Sequence, residues 1–345
     1  MNTSSPSPQP SPRRRGEGAV RTWLVPALLL AIAIALPFVV PKYYVQFASK
    51  ALIMGMLAMA LNLVVGYGGL VSLCHAAFFG LAGYVLAMVT PKYDPVSLWW
   101  SFPFAVGVSA FAALIIGALA LRTRGIYFIM VTLAFGEMLF FFFHDTRVAG
   151  GSDGAYINYK PEIAIAGRVL LDLEKPIAFY FVVLALLIAT IALLTMLVRS
   201  PFGHALAAAR DNERRARSLG FPIFRLRLIA FVISGAIAGV AGYFSAAQFG
   251  FIAPQTLGWH VSAIILVMVL IGGLRSVAGP LIGALVLLGL EEVLKATTIY
   301  WKLAEGLIVI AIVLLLPQGV RHLLSAVLGD KTEEAPQPKA KVEHA

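Results

Sequence analysis

Long apolar stretches separated by short polar ones run through almost the whole chain, and their length sets the first expectation. A helix needs roughly 20 apolar residues to cross the hydrocarbon core of a bilayer. Runs near that length stand at 22–41, 45–65, 70–90, 98–121, 125–143, 177–198, 228–249, 260–274, 279–298 and 300–317. They predict an all-α polytopic membrane protein with about ten transmembrane helices. The run at 260–274 is short and fits a re-entrant segment as well as a crossing. "AIA" at 33–35 resembles a signal-peptidase site, but apolar residues continue to Val40, so the first run is expected to remain an uncleaved anchor.

The polar intervals carry the orientation. With the N-terminus inside, 18 of the 27 lysines and arginines fall in cytoplasmic segments, among them Arg13, Arg21, Arg122, Arg124 and Arg275. Both termini are therefore expected in the cytoplasm. Residues 1–21, Ser/Pro-rich and basic, and residues 326–345, charged and Pro-containing, are expected to be disordered around a transmembrane domain at 22–325. The longest outer segment, 144–176, is weakly amphipathic near 162–171 and reads as a solvated loop or as a surface for an external partner.

Composition agrees with the pattern. The 345 residues are 60% hydrophobic and 13% charged, with a mean hydropathy of +0.87. Soluble domains run near half apolar and a quarter charged. The formal charge of +10 marks cytoplasmic loops rather than nucleic acid in a chain of this kind. A single cysteine, Cys74, excludes an internal disulfide framework, and no metal site is expected.

Within the spans, glycine and a few polar residues stand out. "NLVVGYGGLVSLCHAAFFGLAGY" (62–84) places Gly66, Gly68 and Gly69 between two runs. Glycine permits a bend or a close approach. Asn62, Ser72 and His75 are costly against lipid, so they are expected to face protein or a water-filled path. Gly235 and Gly239, Ala238 and Gly242, and Gly279 and Gly283 make small-x-x-x-small faces, which predict a compact bundle. Glu137, in "VTLAFGEMLFFFF", should face the interior, be protonated, or hydrogen-bond a neighbour such as Ser72 or Gln248. Asn62, Ser72, His75, Glu137 and Gln248 are the candidate pathway residues.

The charged interval 199–227 is richer than orientation requires. It holds seven arginines against Asp211 and Glu213. Ala205, Ala208, Asn212, Ala216 and Leu219 recur at helical spacing and predict one short helix with a small-residue face. Gly220 and then Pro222 stop it. Such a face suits a groove on a soluble protein.

This loop resembles the cytoplasmic signature of bacterial ABC importer permeases, an Ala-rich helix (Ala207, Ala208, Ala209) followed by a glycine, Gly220. "GYGGLVSLCHAAFFGLAGY" (66–84), "LRTRGIYFIMVTLAFGEMLFFFFHDTRVAGGSDG" (121–154) and "IGGLRSVAGPLIGA" (271–284) look like the LivM-type permeases of branched-chain amino acid transport. The likeness covers about residues 22–325. It implies a bacterial inner-membrane permease subunit that imports branched-chain or related amino acids. A second homologous permease, two cytoplasmic ATPase subunits and a periplasmic amino-acid-binding protein would be its partners. Ala207, Ala208, Ala209, Arg210, Glu213 and Gly220 would form the coupling to the ATPases.

The chain has no G-x-x-x-x-G-K-[ST] phosphate loop, so ATP would be used by partner chains and no cofactor is expected here. A urea or short-amide permease of the same fold is the nearest alternative. A stand-alone secondary transporter usually carries several ionisable groups at the midplane, whereas Glu137 is almost alone. Neither paired carboxylates nor metal-spaced histidines nor a Ser/His arrangement occurs within the spans, so no catalytic residue is assigned and an intramembrane enzyme is set aside.

Overall fold

The computed structural model of the protein describes residues 31–315 apart from 92, 166, 167, 172 and 275. The expected N-terminal segment 1–21, the first run up to residue 30, Arg275 and everything from 316, including the tail 326–345, lie outside the described residues.

The described part of helix α1 covers 31–39. There follow α2 (Lys42–Asn62), α3 (His75–Val89), α4 (Leu98–Ala120), α5 (Ile126–Asp145), α6 (Pro176–Arg199), α7 (Pro201–Asp211), α8 (Glu213–Ser218), α9 (Ile223–Phe249), α10 (Trp259–Gly272), α11 (Gly279–Thr297) and α12 (Trp301–Leu315). Pro176 and Pro201 stand at helix starts, where the missing N–H leaves no intrahelical bond unmade.

Among the described residues, five helices are long and apolar enough to cross a membrane: Lys42–Tyr67, Leu98–Ala120, Ile126–Asp145, Pro176–Arg199 and Ile223–Phe249. The protein is thus polytopic, while the expectation of ten full crossings is met by length and composition only in part. The run at 70–90 divides into an extended segment and the 15 residues of α3, and the run at 260–274 yields the 14 residues of α10. At about 1.5 Å per residue such helices are short of the roughly 30 Å hydrocarbon core.

Burial sorts the helices into layers. In α2, 83% of the apolar window is buried, against 22–28% in α4, α5 and α6. The first is the centre of the bundle; the other three form its rim, with apolar faces left for lipid or another subunit. α2 packs on α6, α9, α10 and α11, while α9 also packs on α3 and α4. Glycine sets these distances. A methyl on Gly242 would lie 2.6 Å from the carbonyl carbon of Phe79 in α3, and one on Gly239 2.7 Å from Ser109 Cβ in α4.

The segment 144–176 is more structured than a solvated loop. β1 (Ala155–Tyr156) pairs antiparallel with β4 (Phe251–Ile252), and β2 (Ile163–Ile165) with β3 (Arg168–Leu171). The first pairing is long-range, so no local pattern announces it. It ties the segment to the end of α9.

Candidate functional site

Two regions carry the candidate residues, and they meet. The first is the break after α2. The helix widens into a π-turn at Leu63–Tyr67, Gly69 takes a left-handed φ of +67°, and the chain runs without helix from Leu70 until α3 starts at His75. A π-turn inside a helix often marks a functional site.

Freed backbone groups at such a break need partners inside a membrane, and hydroxyls from three other helices supply them. Leu73 N–H donates to Thr132 Oγ1 of α5 at 3.3 Å, and Ala76 N–H to Ser262 Oγ of α10 at 3.0 Å. Ser234 of α9 donates to the Ala60 carbonyl and meets His75 Nε2 at 2.7 Å. With the Ser234 proton committed to Ala60, Nε2–H must be the donor to Ser234. Nδ1 therefore accepts from Ser72 Oγ, 3.1 Å away. Ser72 and His75 are fully buried and fully paired, so in this conformation they hold the break together rather than line an open path. Asn62 Nδ2 donates to the Ser276 carbonyl at 2.8 Å, in the turn between α10 and α11.

The other two candidates lie apart. Gln248 Nε2 donates to the Gln46 carbonyl at 2.7 Å. Glu137 Oε1 accepts from Trp259 N–H at 3.1 Å, so its partner is the N-terminus of α10 and not Ser72 or Gln248. A carboxylate there meets both an unpaired N–H and the positive end of the helix dipole. Glu137→Leu is expected to cost about 1–2 kcal/mol, a fall of a few degrees in Tm, whereas Glu137→Gln keeps an acceptor and stays near wild type. Thermal unfolding in detergent measures both.

The second region is the loop at 199–227. Ser200 caps α7 by accepting from Gly203 N–H, and Gly203 lets the helix fold back on the end of α6. The single helix expected from the alanine spacing is two. Asn212 leaves helical geometry (φ −152°, ψ 95°) and its Oδ1 accepts from Arg215 N–H at 3.0 Å, which starts α8. An Asn followed by Glu is the capping signal that the alanine periodicity masked.

The expected face divides with it: Ala205 and Ala216 are buried, while Ala208, Asn212 and Leu219 are exposed and Ala207 is half-buried. Leu206 and Ala209 join the buried side, which packs on the protein itself. Gly220 does end the segment, at φ +84°, with Phe221 N–H returning to the Ala216 carbonyl at 3.2 Å. Nothing lies within 4 Å of where a Gly220 side chain would begin, so only the backbone conformation restricts it. Gly220→Val should raise the rate of tryptic cleavage at Arg214, Arg215 and Arg217 roughly 5- to 30-fold, from about 1–2 kcal/mol of left-handed strain. Gly220→Asn should stay close to wild type.

Arg210 and Glu213 both turn toward the bundle. Glu213 meets Arg227 of α9 at 3.0 Å, Arg217 at 2.8 Å, and Arg124, from the turn between α4 and α5, at 3.4 Å. Partial burial pushes its pKa up, but the Arg227 hydrogen bond and the charges of Arg227, Arg124 and Arg217 outweigh that and hold it below the ordinary value. Arg210 donates from a guanidinium nitrogen to the Gly66 carbonyl, inside the π-turn. Leu219, Phe221 and Phe224 are exposed, as are Arg214, Arg215 and Arg225. The sequence reading missed Thr132, Ser234 and Ser262, whose signal was a hydroxyl within an apolar run, and Ser276, whose backbone carbonyl has no sequence signature.

Comparison with known proteins bears on this arrangement. The family described as "Branched-chain amino acid transport system / permease component" matches residues 43–316. The high-affinity branched-chain amino acid transport system permease protein LivM of Salmonella typhimurium (strain LT2) is 32% identical over 326 residues, 89% of this chain and 76% of that protein. LivM of Escherichia coli (strain K12) is 31% identical over 311 residues, 85% and 73% of the two chains. The probable branched-chain amino acid transport permease protein LivH of Methanocaldococcus jannaschii is 33% identical over 150 residues, 41% of this chain and 46% of its own. No solved structure matches.

Proposed function

This chain belongs to the branched-chain amino acid transport permease family, and from that premise we propose that it is the membrane subunit through which an ATP-driven importer moves branched-chain or related amino acids into a bacterial cell. It is a multi-pass permease component and not an enzyme. In this reading about ten segments cross the inner membrane with both termini inside. A second permease of the same family faces this one, as the partial likeness to a LivH protein supports. A periplasmic binding protein delivers substrate, and two ATPase chains hydrolyse ATP.

The observation that carries the reading is the exposed apolar group where α8 turns into α9. Leu219, Phe221 and Phe224 are exposed in an arginine-rich segment that Arg210 and Glu213 anchor to the bundle. A solvated loop that merely fixed orientation would need neither the apolar group nor the anchors. With no phosphate loop in the chain, force from ATP would have to enter from outside. Substrate is assigned from the amino-acid permeases above, since Ser72 and His75 are fully buried and hydrogen-bonded to each other and to Ser234.

The test is reconstitution in vesicles with the partner chains and labelled leucine. ATP-dependent uptake, competed by valine and isoleucine but not by urea, is the expected result. Uptake competed by urea would move the chain to short amides. Solute accumulation by this chain alone, driven by an ion gradient, would overturn the importer reading.

A further inference from the structure

We propose that Arg210 is a positioning residue that clamps the glycine break after α2, and that movement of the 199–227 loop reaches the membrane helices through this contact. The source of that movement rests on the importer reading above; the clamp itself does not.

The geometry has three parts. The guanidinium donates to the Gly66 carbonyl, and the aliphatic stem lies across Gly69, where a methyl group would come within 2.7 Å of Arg210 Cγ. One side chain thus grips both ends of the π-turn's exit. Second, Arg210 cannot move independently of its helix. Leu206 and Ala209, one turn and one residue before it, are fully buried, and the C-terminal end of α7 leads directly into the capped Asn212 break. Displacement of α7 is therefore displacement of the clamp.

Third, the gripped segment is where the central helix loses regular α-helical geometry. It is a π-turn with glycines at 66, 68 and 69, followed by non-helical residues to 74. Its far side is held by the turn between α10 and α11. The Gly66 α-carbon faces the Leu274 carbonyl so closely that a side chain would collide, and Asn62 reaches the Ser276 carbonyl. The Asn62 amide oxygen is buried with no hydrogen-bond partner among the described residues. Releasing or pulling Arg210 changes how the chain from Gly66 to Cys74 lies, and with it the hydroxyl and imidazole cluster at the start of α3.

Cys74, the only cysteine in the chain and fully buried at the end of this segment, is a built-in reporter. In the full chain, N-ethylmaleimide should label Cys74 at least tenfold faster in Arg210→Met than in wild type, at an unchanged Tm. Arg210→Lys, which keeps the stem and a donor, should fall between them. Arg214→Met removes an exposed charge nearby and should label like wild type. Equal labelling in Arg210→Met and wild type would overturn the clamp, as would equal acceleration in Arg214→Met.

In the complex with its ATPases, wild-type labelling should change between the nucleotide-free and ATP-bound states, and Arg210→Met should lose that change. Its persistence at full amplitude would overturn transmission through Arg210. A wild-type complex without ATP-dependent uptake would refute the importer reading instead, and the first comparison, which uses no nucleotide, keeps the two failures apart.

Discussion

Gly242→Ala is expected to abolish the folded protein, although it adds a single methyl group to the middle of an apolar helix. Alanine favours helix over glycine by about 1 kcal/mol, so α9 itself would gain. The loss comes from the neighbour. The added carbon would overlap the Phe79 carbonyl oxygen and sit 2.6 Å from its carbon and 2.8 Å from Phe79 Cα. These are backbone atoms, and no rotamer change moves them. α3 and α9 would have to separate at the contact from which Phe78, Phe79, Tyr243 and Phe244 are all buried. Overpacking relieved by side chains costs about 1–3 kcal/mol. Here the cost should exceed that, against a total stability of about 5–15 kcal/mol. The measurement is the yield of monodisperse protein after extraction and its Tm. Gly107→Ala and Gly289→Ala are matched controls, because nothing lies within 4 Å of a methyl at either position. Both should be neutral or slightly stabilising, and a neutral Gly242→Ala would mean that α3 and α9 do not approach as described.

The contrast shows what the sequence could and could not announce. A pair of small residues four apart was legible, and the structure places Gly235, Gly239 and Gly242 against Ala113, Ser109 and Phe79. Nothing in the pattern said which neighbour each would meet. The rim helices α4, α5 and α6 begin and end within a few residues of the apolar runs, because composition alone decides where a chain can sit in lipid. The run at 70–90 reads as one span because it is mostly apolar, but residues 70–74 are not helical, following the left-handed turn at Gly69. Glu137 was legible as a residue needing a partner, but its partner is a backbone N–H, which has no sequence signature. In the 199–227 loop the arginines dominated the reading. The single carboxylate that organises three of them, Glu213, emerged only when elements distant in sequence came together.

On the proposed importer reading, Glu213→Lys should leave the bundle folded and separate ATP hydrolysis from uptake. Glu213 joins α8 to α9 through Arg227 and to the turn between α4 and α5 through Arg124, so the loop's motion is shared with three helices. A lysine would place four positive charges together where one negative charge now balances three. Its side chain is 26% exposed, so the network is partly screened, and removal of the charge by Glu213→Gln should cost only about 1–2 kcal/mol of loop docking. Reversal adds repulsion to that loss. In the complex that this reading implies, we expect uptake to fall at least tenfold while ATP hydrolysis continues, and Glu213→Gln to be intermediate. Because the folded-state pKa is lowered, the contribution is fully present above the unfolded value of about 4.3 and is lost only as pH falls through the folded value. Loop protection measured by hydrogen exchange should therefore be flat from pH 5 to 8 in wild type, with salt the stronger lever. The decisive variant is the exchange Glu213→Arg with Arg227→Glu, which restores the closest interhelical pair. Partial recovery of uptake identifies the network as the link; a double variant no better than Glu213→Lys would mean that position 213 acts through some other contact.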